Sequence, residues 1–239
     1  LGHPDRLKKL AADMVEHYEA LCAEKPEIVQ KAMIVCADRA VAFHLLQEIL
    51  AIRPEWGEKR RAEDESMLTE EQLDKLMPLP KINLVATQGA NDEKDLFEAC
   101  GTKEYRKMLD RQFKNNDSNF KIAVVVDMWI TGFDVPSLAV MYIDKPLQKH
   151  TLIQTISRVN RVFEGKDKGL VVDYIGIKND MMEAVKKYGS PQESPIDELN
   201  ITLDIFRNHI AMIDELLVGF NATKFYTGEP LERLTCLNL

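Results

Sequence analysis

Cysteine is scarce in this chain of 239 residues, and the four that occur, Cys22, Cys36, Cys100 and Cys236, are far apart with no Cys-x-x-Cys pair. That spacing excludes a disulfide scaffold and a structural zinc module, and it leaves reduced, mostly buried thiols as the expectation. Histidine is sparse as well: His3, His17, His44, His150 and His209 are scattered, and no His-Glu-x-x-His occurs. No metal site is therefore expected. Long apolar runs are missing too. The longest, IAVVVDMWI at residues 122–130, is too short for a bilayer and contains Asp127, and the opening LGHPDRLKK lacks the form of a signal peptide. A soluble, cytoplasmic chain without a membrane partner is expected. Positive charge is also in deficit, with 31 Lys and Arg against 39 Asp and Glu and a net charge of −8. A global electrostatic grip on nucleic acid is excluded, so any contact with DNA has to be local.

What is present is an ordinary globular balance, 45% apolar and 29% charged residues, which excludes wholesale disorder. Leu7, Leu10, Ala11, Met14, Tyr18, Leu21 and Cys22 recur at three and four and predict an amphipathic helix from about Asp5 to Glu24, with Pro26 beyond its end. KAMIVCA at 31–37 has the length and composition of a buried strand, and helical spacing follows through Val41, Leu45, Ile49 and Leu50. INLVAT at 82–87, KIAVVVD at 121–127, LAVMYID at 138–144 and GLVVDYI at 169–175 repeat the strand pattern. Helical spacing through Tyr105, Met108, Leu109 and Phe113 lies between the second and third of these five runs, and a helical segment lies between the last two. Strands alternating with helices predict an α/β domain with a mainly parallel sheet of about five strands, covered on both faces.

Residues 53–80, dense in charge and closed by two prolines, read as a solvated excursion between core elements. After Tyr188 the composition changes. GSPQESP at 189–195 resembles a linker, and the apolar residues beyond it suggest helices. The expected organisation is a lobe over 1–188, with its charged insertion at 53–80, followed by a linker and the start of a helical region over 189–239. The chain is expected to be a piece of a longer protein.

In open parallel sheets, ligands sit at loops leaving the carboxyl ends of the strands. Three segments lie there: CADR at 36–39, VDMWITGFDVP at 126–136, and the turn into QTISRVNR at 154–161. Gly132 permits close backbone approach, and the carboxylate of Asp134 suits a ribose hydroxyl or a magnesium-bound water. Taken alone, the same loop reads rather as a tight turn in which Asp134 caps backbone amides. Arg158 and Arg161 are three residues apart, the spacing of one helix face, and two guanidinium forks on one face suit an anion.

The whole succession resembles the second motor lobe of the superfamily-two helicases and translocases, which carries a QxxGRxxR motif after one close to GxDxP. Gln154, Arg158 and Arg161 match the first, with Ser157 in place of the glycine; Gly132, Asp134 and Pro136 match the second. Val126 stands where a phosphate-contacting threonine is common, and Thr131 replaces a frequent arginine. Over residues 132–176 the resemblance sharpens to the R subunit of type I restriction-modification enzymes, through TGFD, YIDKPL, RVNR and GLVVDYIG.

The resemblance implies a RecA-like lobe. Arg161 would reach as a finger to the terminal phosphate of ATP bound mainly, with Mg2+, on a separate first lobe; Arg158 would hold that phosphate or orient the finger, and Gln154 would sense the nucleotide. Gly132 and Asp134 would meet the nucleotide at the cleft, and Arg39 with the amides near Gly89 would meet the backbone of double-stranded DNA. Methyltransferase and specificity subunits are the implied partners. No phosphate-binding loop occurs, since the GTK at 101–103 lacks both the upstream glycine and the following hydroxyl, and EDES at 63–66 is a charged stretch rather than an acidic box. This sequence therefore reads as half a motor, inactive as an ATPase by itself. Two other readings remain at this point: a lobe of another superfamily-two helicase, and a non-catalytic α/β module binding a phosphate ligand or a protein.

Overall fold

The structure, a computed structural model, describes residues 1–130, 133–147, 151, 155, 157, 159 and 169–176. The chain divides into two compact units, Leu1–Val185 and Lys186–Leu239. All described residues fall in the first, so the expected linker and helical region lie outside them.

Five strands, β1 (Lys31–Cys36), β2 (Ile82–Val85), β3 (Ile122–Val125), β4 (Leu138–Asp144) and β5 (Leu170–Asp173), form one sheet in the order β2-β3-β1-β4-β5. Every neighbouring pair is parallel. All five strands fall within the apolar runs read from the sequence, and the α/β architecture is the one expected. Strands β1 to β4 are buried along their whole length, which is why they read as continuous apolar runs rather than alternating ones. Alternation survives in the choice of neighbours. Ala32, Ile34 and Cys36 of β1 join one core layer, while Met33 and Val35 join the other.

The first layer is covered by α1 (Pro4–Glu24), α2 (Arg39–Ile52) and, after the four-residue α3 (Glu70–Leu73), by α4 (Lys94–Cys100). The second is covered by α5 (Lys103–Lys114) and includes Phe133, Val135 and Val159. Helix α1 starts with proline at its first position, where the missing N–H costs nothing, and buries Leu7, Leu10, Ala11, Met14, Val15 and Tyr18 on one stripe. Asp38 caps α2 by accepting from the Val41 amide at 2.9 Å. Gly101 separates α4 from α5 at φ +60°, where a Cβ would lie 2.3 Å from the Tyr105 ring, so only glycine fits the corner.

One expectation changes here. The charged segment 53–80 is not merely a solvated excursion: it buries Trp56, Ala62, Leu76 and Leu79, and Arg60 pairs with Leu79 in an antiparallel bridge. Trp56 packs edge-on against Tyr18 of α1 at 5.7 Å between ring centroids. The segment clips back onto the lobe through these scattered apolar residues while its charges face water. Among the described residues no helix is long and apolar enough to cross a membrane.

Candidate functional site

Adjacent strands β1 and β4 send the chain to opposite faces of the sheet. Strand β1 leads into α2 on the first layer, whereas beyond β4 the described helical residues include Val159, buried in the second layer. Divergence of this kind opens a crevice at the carboxyl ends of the strands, where parallel α/β sheets place their ligands.

The crevice is tied together by charge. Lys145, just past β4, pairs with Asp127, just past β3, and also donates to the Val126 carbonyl at 3.2 Å. Because β1 lies between β3 and β4, this link spans the end of β1. At the end of β4, the fully buried carboxylate of Asp144 receives both guanidinium nitrogens of Arg6 from α1, one of them at 3.1 Å. That hydrogen bond holds the Arg6 pKa above its ordinary value. Removing Arg6 strands a buried carboxylate. Since its own side chain is 31% exposed, Arg6→Ala is expected to cost about 3 kcal/mol, the low end for breaking a buried pair. Asp144→Asn, which leaves the arginine a route to water, should cost less. Urea unfolding of both variants checks the order, and equal losses would contradict it.

Arg39 and Gly89, both expected at a phosphate, are brought together by a third residue. Asp92 accepts from Arg39 Nη2 at 2.8 Å with one carboxylate oxygen and from the Gly89 amide at 2.6 Å with the other. A Cβ on Gly89 would lie 2.1 Å from Arg39 Nη2, so glycine is what allows the guanidinium so near the backbone. In this structure the amide and the arginine hold a carboxylate of the chain itself. Arg39 and Asp92 line a cleft of about 460 Å³, together with Asp38, His44, Val126 and Asp127.

Asp134 is exposed between buried Phe133 and Val135. The two apolar neighbours fasten the loop to the second core layer and leave the carboxylate outside. The loop's other anchor is Trp129, at φ +68°, a conformation that costs a bulky residue about 1–3 kcal/mol. Its ring stacks on Phe133 at 4.2 Å with an interplanar angle of 1°, one residue before Asp134. Gly132, Gln154, Arg158 and Arg161 lie outside the described residues. Around them, Thr155 and Val159 are buried, Ser157 is exposed, and Thr155 donates to the Thr151 carbonyl at 2.7 Å.

Sequence reasoning missed Asp92, Trp129 and Arg6. For Asp92 a signal existed, a carboxylate three residues after a glycine, as in a side-chain-closed turn. Trp129 lay within the loop segment read at 126–136, but nothing in the sequence singled out its backbone conformation. Arg6 meets a partner 138 residues away, which no local pattern encodes.

Comparison with known proteins gives this geometry a family. The HindI type I restriction enzyme endonuclease subunit of Haemophilus influenzae is 36% identical over 192 residues, covering 79% of this chain and 16% of the relative. A Methanocaldococcus jannaschii protein assigned as the MjaIXP type I restriction endonuclease subunit is 36% identical over 235 residues, covering 97% of this chain and 20% of its own length. A solved fragment assigned as the HsdR subunit of a type I restriction enzyme from Vibrio vulnificus aligns with a TM-score of 0.47 and 15% identity, over 74% of this chain and 30% of that one. The chain thus spans about a fifth or less of the two curated relatives. The profile for domain 3 of type I restriction enzyme subunit R matches residues 13–176, the whole sheet and its flanking helices from the middle of α1 onward, and the chain belongs to that family.

Proposed function

We propose that this chain is the second, RecA-like motor lobe of the R subunit of a type I restriction enzyme, a cytoplasmic ATP-dependent DNA translocase and endonuclease. It completes a nucleotide site on a separate first lobe and holds the DNA backbone. The observation that carries the reading is the convergence of Arg39, Gly89 and Asp127 at the carboxyl ends of the parallel strands, in a chain of this family. Arg161 acts as the finger on the terminal phosphate, Arg158 binds the same phosphate, and Gln154 responds to the nucleotide. Gly132 and Asp134 face the nucleotide from the loop after β3.

The exposure of Asp134 fits contact with ribose or with a magnesium-bound water. Among the described residues no three His, Cys, Asp or Glu side chains gather as a metal site. When bound, ATP supplies the free energy of the cycle. The part of these residues is to neutralise charge and to couple lobe closure to the DNA. Methyltransferase and specificity subunits complete the proposed assembly.

Arg39 gives a direct test. In the full-length subunit, Arg39→Ala should raise the DNA concentration for half-maximal ATPase stimulation by about tenfold, the loss of one charged contact of 1–3 kcal/mol. DNA-independent hydrolysis should persist. Stimulation identical to wild type would remove Arg39 from the DNA path.

A further inference from the structure

We propose that α5 forms a second contact surface for the phosphodiester backbone of duplex DNA, adjoining the Arg39 cleft on the other side of the β3 exit loop. The proposal rests on the motor-lobe reading and extends it to residues outside the family motifs.

The chain carries a net charge of −8, yet α5 concentrates Lys103, Arg106, Lys107, Arg111 and Lys114 among its twelve residues, against Glu104 and Asp110. At about 100° per residue the five cations fall within roughly 140° of one another, a stripe about 16 Å long. The opposite side buries Leu109, Gln112 and Phe113. Core packing thus fixes the orientation of the stripe. Lys103, Lys107 and Arg111 are exposed, and none of the three has an ion-pair partner among the described residues, whereas Lys114 pairs with Asp110 at 2.9 Å. Glu104 interacts electrostatically with Lys103 and Lys107, but three aligned cations on an acidic protein still repel one another unless an anion with repeated charge lies along them.

Position selects the anion. Lys103, Arg106, Lys107 and Arg111, with the single acid Asp110 among them, line a cleft of about 420 Å³ whose other wall is Thr87, Met128 and Trp129. Thr87 lies two residues before Gly89, and Met128 and Trp129 directly follow Val126 and Asp127, which line the Arg39 cleft. The two clefts therefore border the same pair of loops, at the exits of β2 and β3. A backbone entering at Arg39 and Gly89 continues along α5 past the Trp129 ring, whose stack on Phe133 and Phe113 gives the second cleft a rigid wall. Duplex DNA presents one charge about every 1.7 Å along its axis, the periodic anion that such a stripe fits.

The test compares the full-length subunit with two triple variants, Lys103→Gln/Lys107→Gln/Arg111→Gln and the corresponding glutamate set, using a nonspecific DNA duplex over a salt series. Arg106 is left intact because it donates to the Gly101 carbonyl at 2.7 Å. For the glutamine set, the slope of log affinity against log salt should flatten by about 2.7, three phosphate contacts at about 0.9 each. Affinity near 100 mM salt should fall at least tenfold, with the glutamate set weaker still and DNA-independent ATP hydrolysis retained by both. An unchanged slope in the glutamine set overturns the proposal, as does unaltered DNA affinity with lost assembly onto the other subunits, which would make α5 a protein-docking face. If α5 proves necessary for DNA binding while Arg161→Ala leaves hydrolysis intact, the nucleotide reading fails and the DNA surface stands. The reverse pattern condemns α5 alone.

Discussion

Arg161→Ala in the full-length subunit is expected to lower DNA-stimulated ATP hydrolysis by about 10³- to 10⁵-fold, the range for loss of an arginine finger. Phosphoryl transfer spreads charge over the oxygens of the transferred group and leaves little covalent work for the protein. Most of the rate therefore comes from positioned positive charge. Arg161→Lys should recover little, because an ammonium lacks the planar fork that bridges two phosphate oxygens. Arg158→Ala should raise the KM for ATP more than it lowers kcat if its part is to bind the ground-state phosphate. The expectation rests on the Gln154, Arg158 and Arg161 pattern and on membership of the R-subunit family. Single-turnover hydrolysis with saturating DNA measures the chemical step directly. A normal rate for Arg161→Ala would take that residue out of the mechanism. The isolated 239-residue chain, which carries no phosphate-binding loop, should show no turnover with or without DNA, and DNA-dependent turnover abolished by Arg161→Ala would overturn the half-motor reading.

The sheet was legible because both of its faces are covered. A strand buried on two sides needs an apolar residue at every position, so LAVMYID matches β4 to the residue, and the other four runs overshoot by one to three residues at their ends. Helix α1 was legible because a long helix repeats its stripe often enough for the period to stand out. Helix α4 was not: its seven residues bury Leu96 and Cys100 alone, too few to define a period. The same limit hid the packing of segment 53–80, where Trp56, Ala62, Leu76 and Leu79 are isolated among charges.

At the site, strand exits singled out Arg39 and Gly89, while Asp92, which accepts from both, was not singled out. Its presence has a chemical consequence. On the proposed DNA path, a phosphate reaching Arg39 and Gly89 would have to displace Asp92, so the contacts that Asp92 makes would oppose its binding. Electrostatic preorganisation of Arg39 and competition for it come from one side chain.

Lys31 should make the stability of the lobe rise with pH. It begins β1 on the side facing α5, is fully buried, and sends its Nζ to the carbonyls of Phe113 and Asn115, the latter at 3.0 Å. Those acceptors close the end of α5, but burial outweighs them and drives the pKa from 10.5 down to about 6. Lys121, itself lowered by burial, pushes the same way, and Asp117 opposes. In the unfolded chain Lys31 titrates near its ordinary value. Between about pH 6 and 10.5 the unfolded state therefore holds a proton that the folded state has released, and stability climbs with pH across that window. At about 1.4 kcal/mol per pH unit the total reaches several kcal/mol.

Lys31→Met removes this linkage and leaves the Phe113 carbonyl without its Lys31 donor, a loss of about 1–3 kcal/mol, while the Asn115 carbonyl keeps the Ser118 amide at 3.3 Å. The two stability profiles should then cross. The variant is expected to match or exceed wild type at pH 6, where wild type bears the full cost of a buried ammonium, and to fall below it by pH 9, where a neutral amine still donates to both carbonyls. Urea unfolding at pH 6, 7.5 and 9 measures the difference, with Lys121→Met as the control for the neighbouring lysine. Parallel profiles would mean that Lys31 keeps its proton in the fold, and the carbonyls at the end of α5 would then outweigh burial.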